Sequence, residues 1–131
     1  MAKANIPIKK AFIFVPYSII ITPQLAKDST LKPIFKAFPK IFDNSSISLD
    51  YILWVFLMNE KFKGQSSFYY PYLSIINEPE ILSDWSSEEK SELQDPFLFI
   101  KCEKNHKIVL SHFETLKQVF QQFPEFFPED K

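Results

Sequence analysis

Arginine is missing from this chain, and glycine and cysteine occur once each. Each scarcity excludes something. Without arginine there is no planar fork to clamp a phosphate or carboxylate through two parallel bonds. With Gly64 as the sole glycine, no phosphate-cradling loop, dinucleotide fingerprint or nucleophile elbow can be written. Cys102 has no second cysteine to pair with inside the chain, which fits a reducing compartment. An excess of one charge is lacking too: fifteen basic residues, all lysine, face sixteen acidic ones for a net charge of −1. Such a balance creates no long-range field toward nucleic acid or an acidic membrane surface. No apolar run reaches the roughly 18 residues of a membrane span.

What is present is apolar and aromatic. Hydrophobic residues make up 46% of the 131 positions and aromatic ones 17%, with fifteen phenylalanines. That is too apolar for a disordered chain and enough for the core of one domain. No internal repeat, low-complexity stretch or interior linker divides it.

Lys3, Lys9 and Lys10 precede an apolar run from Ala11 to Ile21, which imitates a secretory signal. Pro16 breaks that run, and Gln24-Leu25-Ala26 makes a poor cleavage site, so an intracellular, cytoplasmic or nuclear, protein is expected. Phe12 to Val15 and Ile19 to Ile21 are β-formers flanking Pro16-Tyr17-Ser18, and read as two short buried strands.

Thr22 followed by Pro23 is a helix start, with a helix ending near Asp28-Ser29. A further turn or two runs from Leu31 to Ala37 until Pro39 interrupts it. After the polar loop Asn44-Ser45-Ser46, Ser48 is placed to cap a helix with Asp50 in its first turn, and Gly64 is its natural stop. Between them Tyr51 to Met58 has no polar residue, the pattern of a helix buried on most sides. A short helix is expected within Phe68 to Ile76. Ser86 with Glu89 forms a capping box ahead of Lys90 to Gln94. Asp95-Pro96 opens a long final helix whose positions Val109, Phe113, Leu116, Phe120 and Phe123 step by four and three, one stripe closed by Pro124.

Four constellations invite a chemical reading. Cys102 and His106, four apart, share a helical face. A half-buried thiol beside a surface histidine is favoured over a metal half-site completed by a partner. Glu88, Glu89 and Glu92 lie in the first turns of a helix, where its dipole stabilises acids without any catalytic role. His106 and His112, six apart, point to different faces. Phe68, Tyr69, Tyr70 and Tyr72 offer rings to stack on bases or an apolar pocket; packing against the Trp54 helix is favoured. No catalytic, cofactor-binding or metal-ligating residue is assigned.

One ordered series goes further. It runs through Val15-Pro16-x-Ser18, the Thr22-capped helix with Ala26-x-x-Ser29, and an apolar helix ending in Glu60-Lys61. Ser67-Phe68-Tyr69-Tyr70-Pro71-Tyr72-Leu73 follows, then Pro79, Trp85-Ser86-Ser87-Glu88-Glu89 with Leu93, and Phe123-Pro124-x-Phe126-Phe127-Pro128. This series resembles the N-terminal half of the SET-domain methyltransferases typified by the plant Rubisco lysine methyltransferase and the actin-histidine methyltransferase. Ser67 to Leu73 is similar to the family's Ser-Phe-Trp-x-Pro-Tyr-Leu segment, with Tyr69 in place of tryptophan. Phe123 to Pro128 looks like the end of the helical insert.

The resemblance implies an α+β, predominantly helical fold: two or three short strands in 1–22, about five helices in all, with helices over 23–94, the long helix over 95–123 and a tail over 124–131. It implies a partial SET-like domain whose parent reaction moves a methyl group from S-adenosylmethionine to a protein lysine or histidine. The family's Glu-Gly-x-Gly-type cofactor turn, its Asn-His motif and its catalytic tyrosines match no residue here. The chain alone is therefore expected to bind no cofactor and to be inactive, a fragment or degenerate relative awaiting a complementing second half. The alternative is a non-enzymatic helical module for a protein partner. Neither nucleic acid nor membrane is expected as partner, and the oligomeric state is open.

Overall fold

The computed structural model describes residues 13–43, 46–76 and 81–128. Among them the elements are helical throughout: α1 (Pro23–Lys27), α2 (Lys32–Ala37), α3 (Pro39–Phe42), α4 (Ser48–Lys63), α5 (Tyr70–Leu73), α6 (Ser87–Ser91) and α7 (Pro96–Gln122). Single 3-10 turns at Tyr17–Ile19, Gly64–Ser66 and Leu82–Asp84 join them.

The expected N-terminal strands are absent among the described residues, and the α+β expectation is corrected to all-α there. Phe12, like Lys3, Lys9, Lys10, Ala11, Asn44, Ser45 and Pro79, lies outside the described residues. The β-formers from Ile13 to Val15 run without regular structure, Tyr17–Ile19 closes a 3-10 turn behind Pro16, and the backbone is extended again at Ile20 and Thr22. The backbone hydrogen bonds of this segment are local, from Ile19 N to Pro16 O and Ile20 N to Tyr17 O, each 3.1 Å. β-branched residues favour a pleated, half-covered surface, yet a strand exists only when a second one accepts its ladder. No described segment does so.

Caps set the helix starts. Thr22 Oγ1 accepts from Leu25 N at 3.1 Å ahead of Pro23. Ser86 and Glu89 exchange both bonds of a capping box, at 3.2 and 2.8 Å. Asp95 Oδ1 accepts from Phe97 N and Leu98 N at 2.9 and 3.2 Å. Each satisfies amides that the first turn leaves orphaned. Ser48 departs from its expected part: the flanking position is Ile47, and Ser48 Oγ donates to Ile41 O at 3.1 Å, binding α4 to α3. Gly64 ends α4 at φ +54°, ψ −131°, a conformation open to glycine.

The core sits around α4. Ile52, Val55 and Phe56 are buried against Ala26 of α1, Ile34 of α2 and Phe42 of α3, and Leu116 and Val119 of α7 join the same cluster. Each fully buried side chain of this kind contributes about 1.5–3 kcal/mol by leaving water. The apolar run of α4 is less enclosed than expected, because Trp54 keeps 39% of its surface exposed while Leu57 and Met58 are half-buried. The expected stripe on α7 divides in the same way. Leu116 is buried and Phe120 and Phe123 are half-buried, whereas Val109 and Phe113 are 60% and 50% exposed. Residues 123–128, after α7, fold back onto the body: Phe127 is buried against Phe62 and Phe120, and Asn59 Nδ2 donates to Phe126 O at 3.1 Å.

Candidate functional site

The C-terminal turn of α4 leads through Gly64 into a reversal that brings Ser67 back beside Glu60. Glu60 is 5% exposed, and its carboxylate accepts from Ser67 Oγ and from Lys63 Nζ. Ser67 Oγ in turn accepts from Tyr69 N at 3.0 Å. The hydroxyl thus has its proton on Glu60 and a lone pair on a backbone amide. It is buried and committed on both sides, which makes it a brace between helix and turn rather than a free nucleophile. The brace fixes Tyr69, whose ring meets Phe56 of α4 edge-on at 5.8 Å. Burial, and then the negative charge of Glu60, raise the Tyr69 pKa above the ordinary tyrosine value.

Two clefts flank Tyr69. The first, about 620 Å³, has Glu60, Lys63 and Ser67 on one side and Tyr17, Thr22 and Asp28 on the other. The second, about 540 Å³, lies between Val15, Ile19 and Ile21 and the turn carrying Phe68, Pro71 and Tyr72. The segment expected to be a buried strand pair therefore forms a wall of both, and its outer side is open. Ile13, Phe14, Val15 and Tyr17 are 68%, 87%, 51% and 74% exposed.

A third groove, about 400 Å³ and lined mainly by apolar side chains, separates α4 from α7 beside Trp54, Met58, Val109 and Phe113. At its edge Tyr51 Oη lies 2.8 Å from His112 Nδ1, and Trp54 meets both rings at 5.5 Å.

The constellations picked from the sequence are not brought together into a reactive centre. Cys102 is buried and His106 exposed, and among the described residues no group of three or more His, Cys, Asp or Glu could hold a metal. Glu88, Glu89 and Glu92 are exposed on or beside α6, with Glu89 spent on the capping box. Of the aromatic set Tyr69 packs on Phe56 of α4 as expected, whereas Phe68 and Tyr72 stand 72% and 54% exposed. Sequence reasoning passed over the Glu60–Ser67 brace, although an acid closing an apolar helix, followed by Gly64 and a serine, signals it. The Tyr51–His112 contact joins residues 61 positions apart and has no local signal.

No helix among the described residues is long and apolar enough to cross a membrane. The described residues define an all-helical body with an exposed apolar segment from Ile13 to Ile20. Set against protein-family models, curated proteins and solved structures, the chain finds no match.

Proposed function

We propose that the chain is the helical half of a SET-type protein methyltransferase domain, silent toward S-adenosylmethionine by itself, and that it docks a polypeptide which completes the domain. The observation that carries this reading is the exposed apolar segment from Ile13 to Ile20, which has a 3-10 turn at Tyr17–Ile19 and supplies one wall of both clefts beside Tyr69. An exposed apolar surface of this kind marks a contact with another polypeptide. The clefts on either side of Tyr69 offer room for side chains of that polypeptide. The resemblance of Ser67 to Leu73 and Trp85 to Leu93 supplies the chemistry of the whole domain, methyl transfer to a lysine or histidine of a protein. That reaction needs the methyl group and acceptor nitrogen aligned in one channel, and much of its rate comes from that alignment. Glu60, Ser67 and Tyr69 hold the wall of such a domain in shape.

A second reading, a non-enzymatic interaction module, is favoured by the apolar groove between α4 and α7. Titration calorimetry of the chain with S-adenosylmethionine and its demethylated product, on a sample shown monodisperse by light scattering, tests the silence directly. Hydrogen exchange tests the exposure of the segment. The expected result is no heat of binding and unprotected amides from Ile13 to Val15. Micromolar binding by the chain alone would overturn the first claim, and slow exchange at those amides the second.

A further inference from the structure

We propose that the first cleft beside Tyr69 receives the guanidinium of an arginine carried by the polypeptide that docks there. This rests on the reading of the Ile13–Ile20 segment as a contact surface, and not on the methyltransferase parentage. Two carboxylates, Asp28 and Glu60, line the cleft against one lysine, Lys63. Lys63 is spent on one oxygen of Glu60, whose other oxygen takes the Ser67 hydroxyl. Asp28 meets no lysine among the described residues; the neutral Gln24 side chain donates to it at 2.7 Å. The lining is therefore negative by one charge, and exposed Asp28 carries that charge without a cation.

The rings of the cleft favour the same kind of ligand. Phe68 and Tyr69 stand at 88° to each other with centroids 5.2 Å apart, so two of its lining rings meet in a right-angled corner. Tyr17 lines the cleft as well, from the Ile13–Ile20 segment. Tyr69 is held by Phe56 and by the Ser67 brace, whereas Phe68 and Tyr17 are largely exposed. A cation within about 6 Å of a ring centre is attracted by the negative face of the ring. Burial, and then the charge of Glu60, raise the Tyr69 pKa, so the field of that carboxylate reaches the corner.

Between the two cationic side chains, the cleft suits arginine. An ammonium is compact and strongly hydrated, and Lys63 already supplies one to Glu60. A guanidinium is planar and weakly hydrated, stacks on rings, and offers a carboxylate two parallel donors. A volume of about 620 Å³ has room for that fork and its stem. Because this chain has no arginine, the occupant belongs to a different polypeptide and not to a second copy.

The test is a titration of the full chain with the peptide acetyl-Gly-Arg-Gly-amide, followed by the ring-proton NMR signals. Saturable shifts at Phe68 and Tyr69 are expected, with a Kd of about 1 mM or tighter. The same peptide with citrulline, which keeps the shape of arginine without its charge, should leave them unmoved, and the lysine peptide should bind several-fold more weakly. Asp28→Asn and Phe68→Ala should each weaken binding about fivefold or more. Both positions are exposed, so an unchanged unfolding midpoint is expected alongside. Asp50→Asn, which removes an equal charge outside the cleft, should bind as the unaltered chain does. No shift up to about 10 mM peptide, citrulline binding as tightly as arginine, or equal affinities in Asp28→Asn and Asp50→Asn would overturn the inference. Lysine binding as tightly as arginine would overturn the choice of guanidinium. Slow amide exchange at Ile13 to Val15, read without peptide, would instead strike the contact surface on which the proposal rests.

Discussion

The Tyr51 hydroxyl and His112 Nδ1 stand 2.8 Å apart and bind α4 to α7, with Trp54 packed edge-on to both rings. A phenol can donate to an unprotonated imidazole nitrogen or accept from a protonated one, so the pair tolerates either tautomer. Tyr51→Phe keeps the ring packing and removes the bond. It is expected to cost about 1 kcal/mol, read as a lower urea midpoint with an unchanged slope. His112→Ala should cost more, and a double-mutant cycle between the two should give a coupling well above zero.

The Glu60 brace predicts an asymmetric pair of variants. Ser67→Ala deletes the hydroxyl beside a buried carboxylate that still holds Lys63, for about 1–2 kcal/mol. Glu60→Ala leaves the buried Ser67 hydroxyl without its acceptor and releases Lys63, 36% exposed, to water, and should cost more, about 2–3 kcal/mol. Equal effects in chemical denaturation would show that Lys63 contributes nothing to the site.

Tyr69 makes alkaline stability the informative pH range. Its pKa is raised in the folded state, first by burial and then by Glu60. Between the ordinary tyrosine value near pH 10 and that higher value, the unfolded chain loses a proton that the folded chain keeps. The unfolded state is favoured there, so the stability tied to this phenol is full below pH 10 and declines above it. Absorbance at 295 nm should resolve a late-titrating phenol, and Tyr69→Phe should remove that phase and flatten the alkaline loss of stability.

Gly64 isolates backbone strain from packing. A Cβ built there meets nothing within 4 Å, yet φ is +54°. Gly64→Ala should therefore destabilise by about 1–3 kcal/mol through conformation alone. A neutral result in thermal unfolding would mean that the turn after α4 relaxes to a different path.

Local signals carried the helix starts. Thr22-Pro23, the Ser86–Glu89 box and Asp95-Pro96 each act within a few residues, through a side-chain oxygen and amides that need it. Gly64 was legible for the same reason. The strands were misread because β-propensity describes a residue's fit to a sheet, and a sheet requires a second segment that composition cannot name. Ile13 to Val15 has the right side chains and no ladder among the described residues. The stripe on α7 was legible as a stripe, but which part would be covered depended on where α4 lies. Leu116 meets the core and Phe113 the groove for that reason alone. Of the site, the turn at Ser67 to Leu73 was visible as a pattern. Its buried anchor, Glu60, was visible only as the end of a helix.

The position of α4 among its neighbours also bears on how the protein is made. Its contacts with α1 and α3 join segments close in sequence, and the loops to be closed are short. On the ribosome these segments emerge before α7 and can bury Ile34, Phe42 and Ile52 against one another as soon as α4 is out. The long helix then arrives at a surface already built. A newly made chain halted ahead of Leu116 and Val119 would carry a hole in its core that α7 is needed to fill.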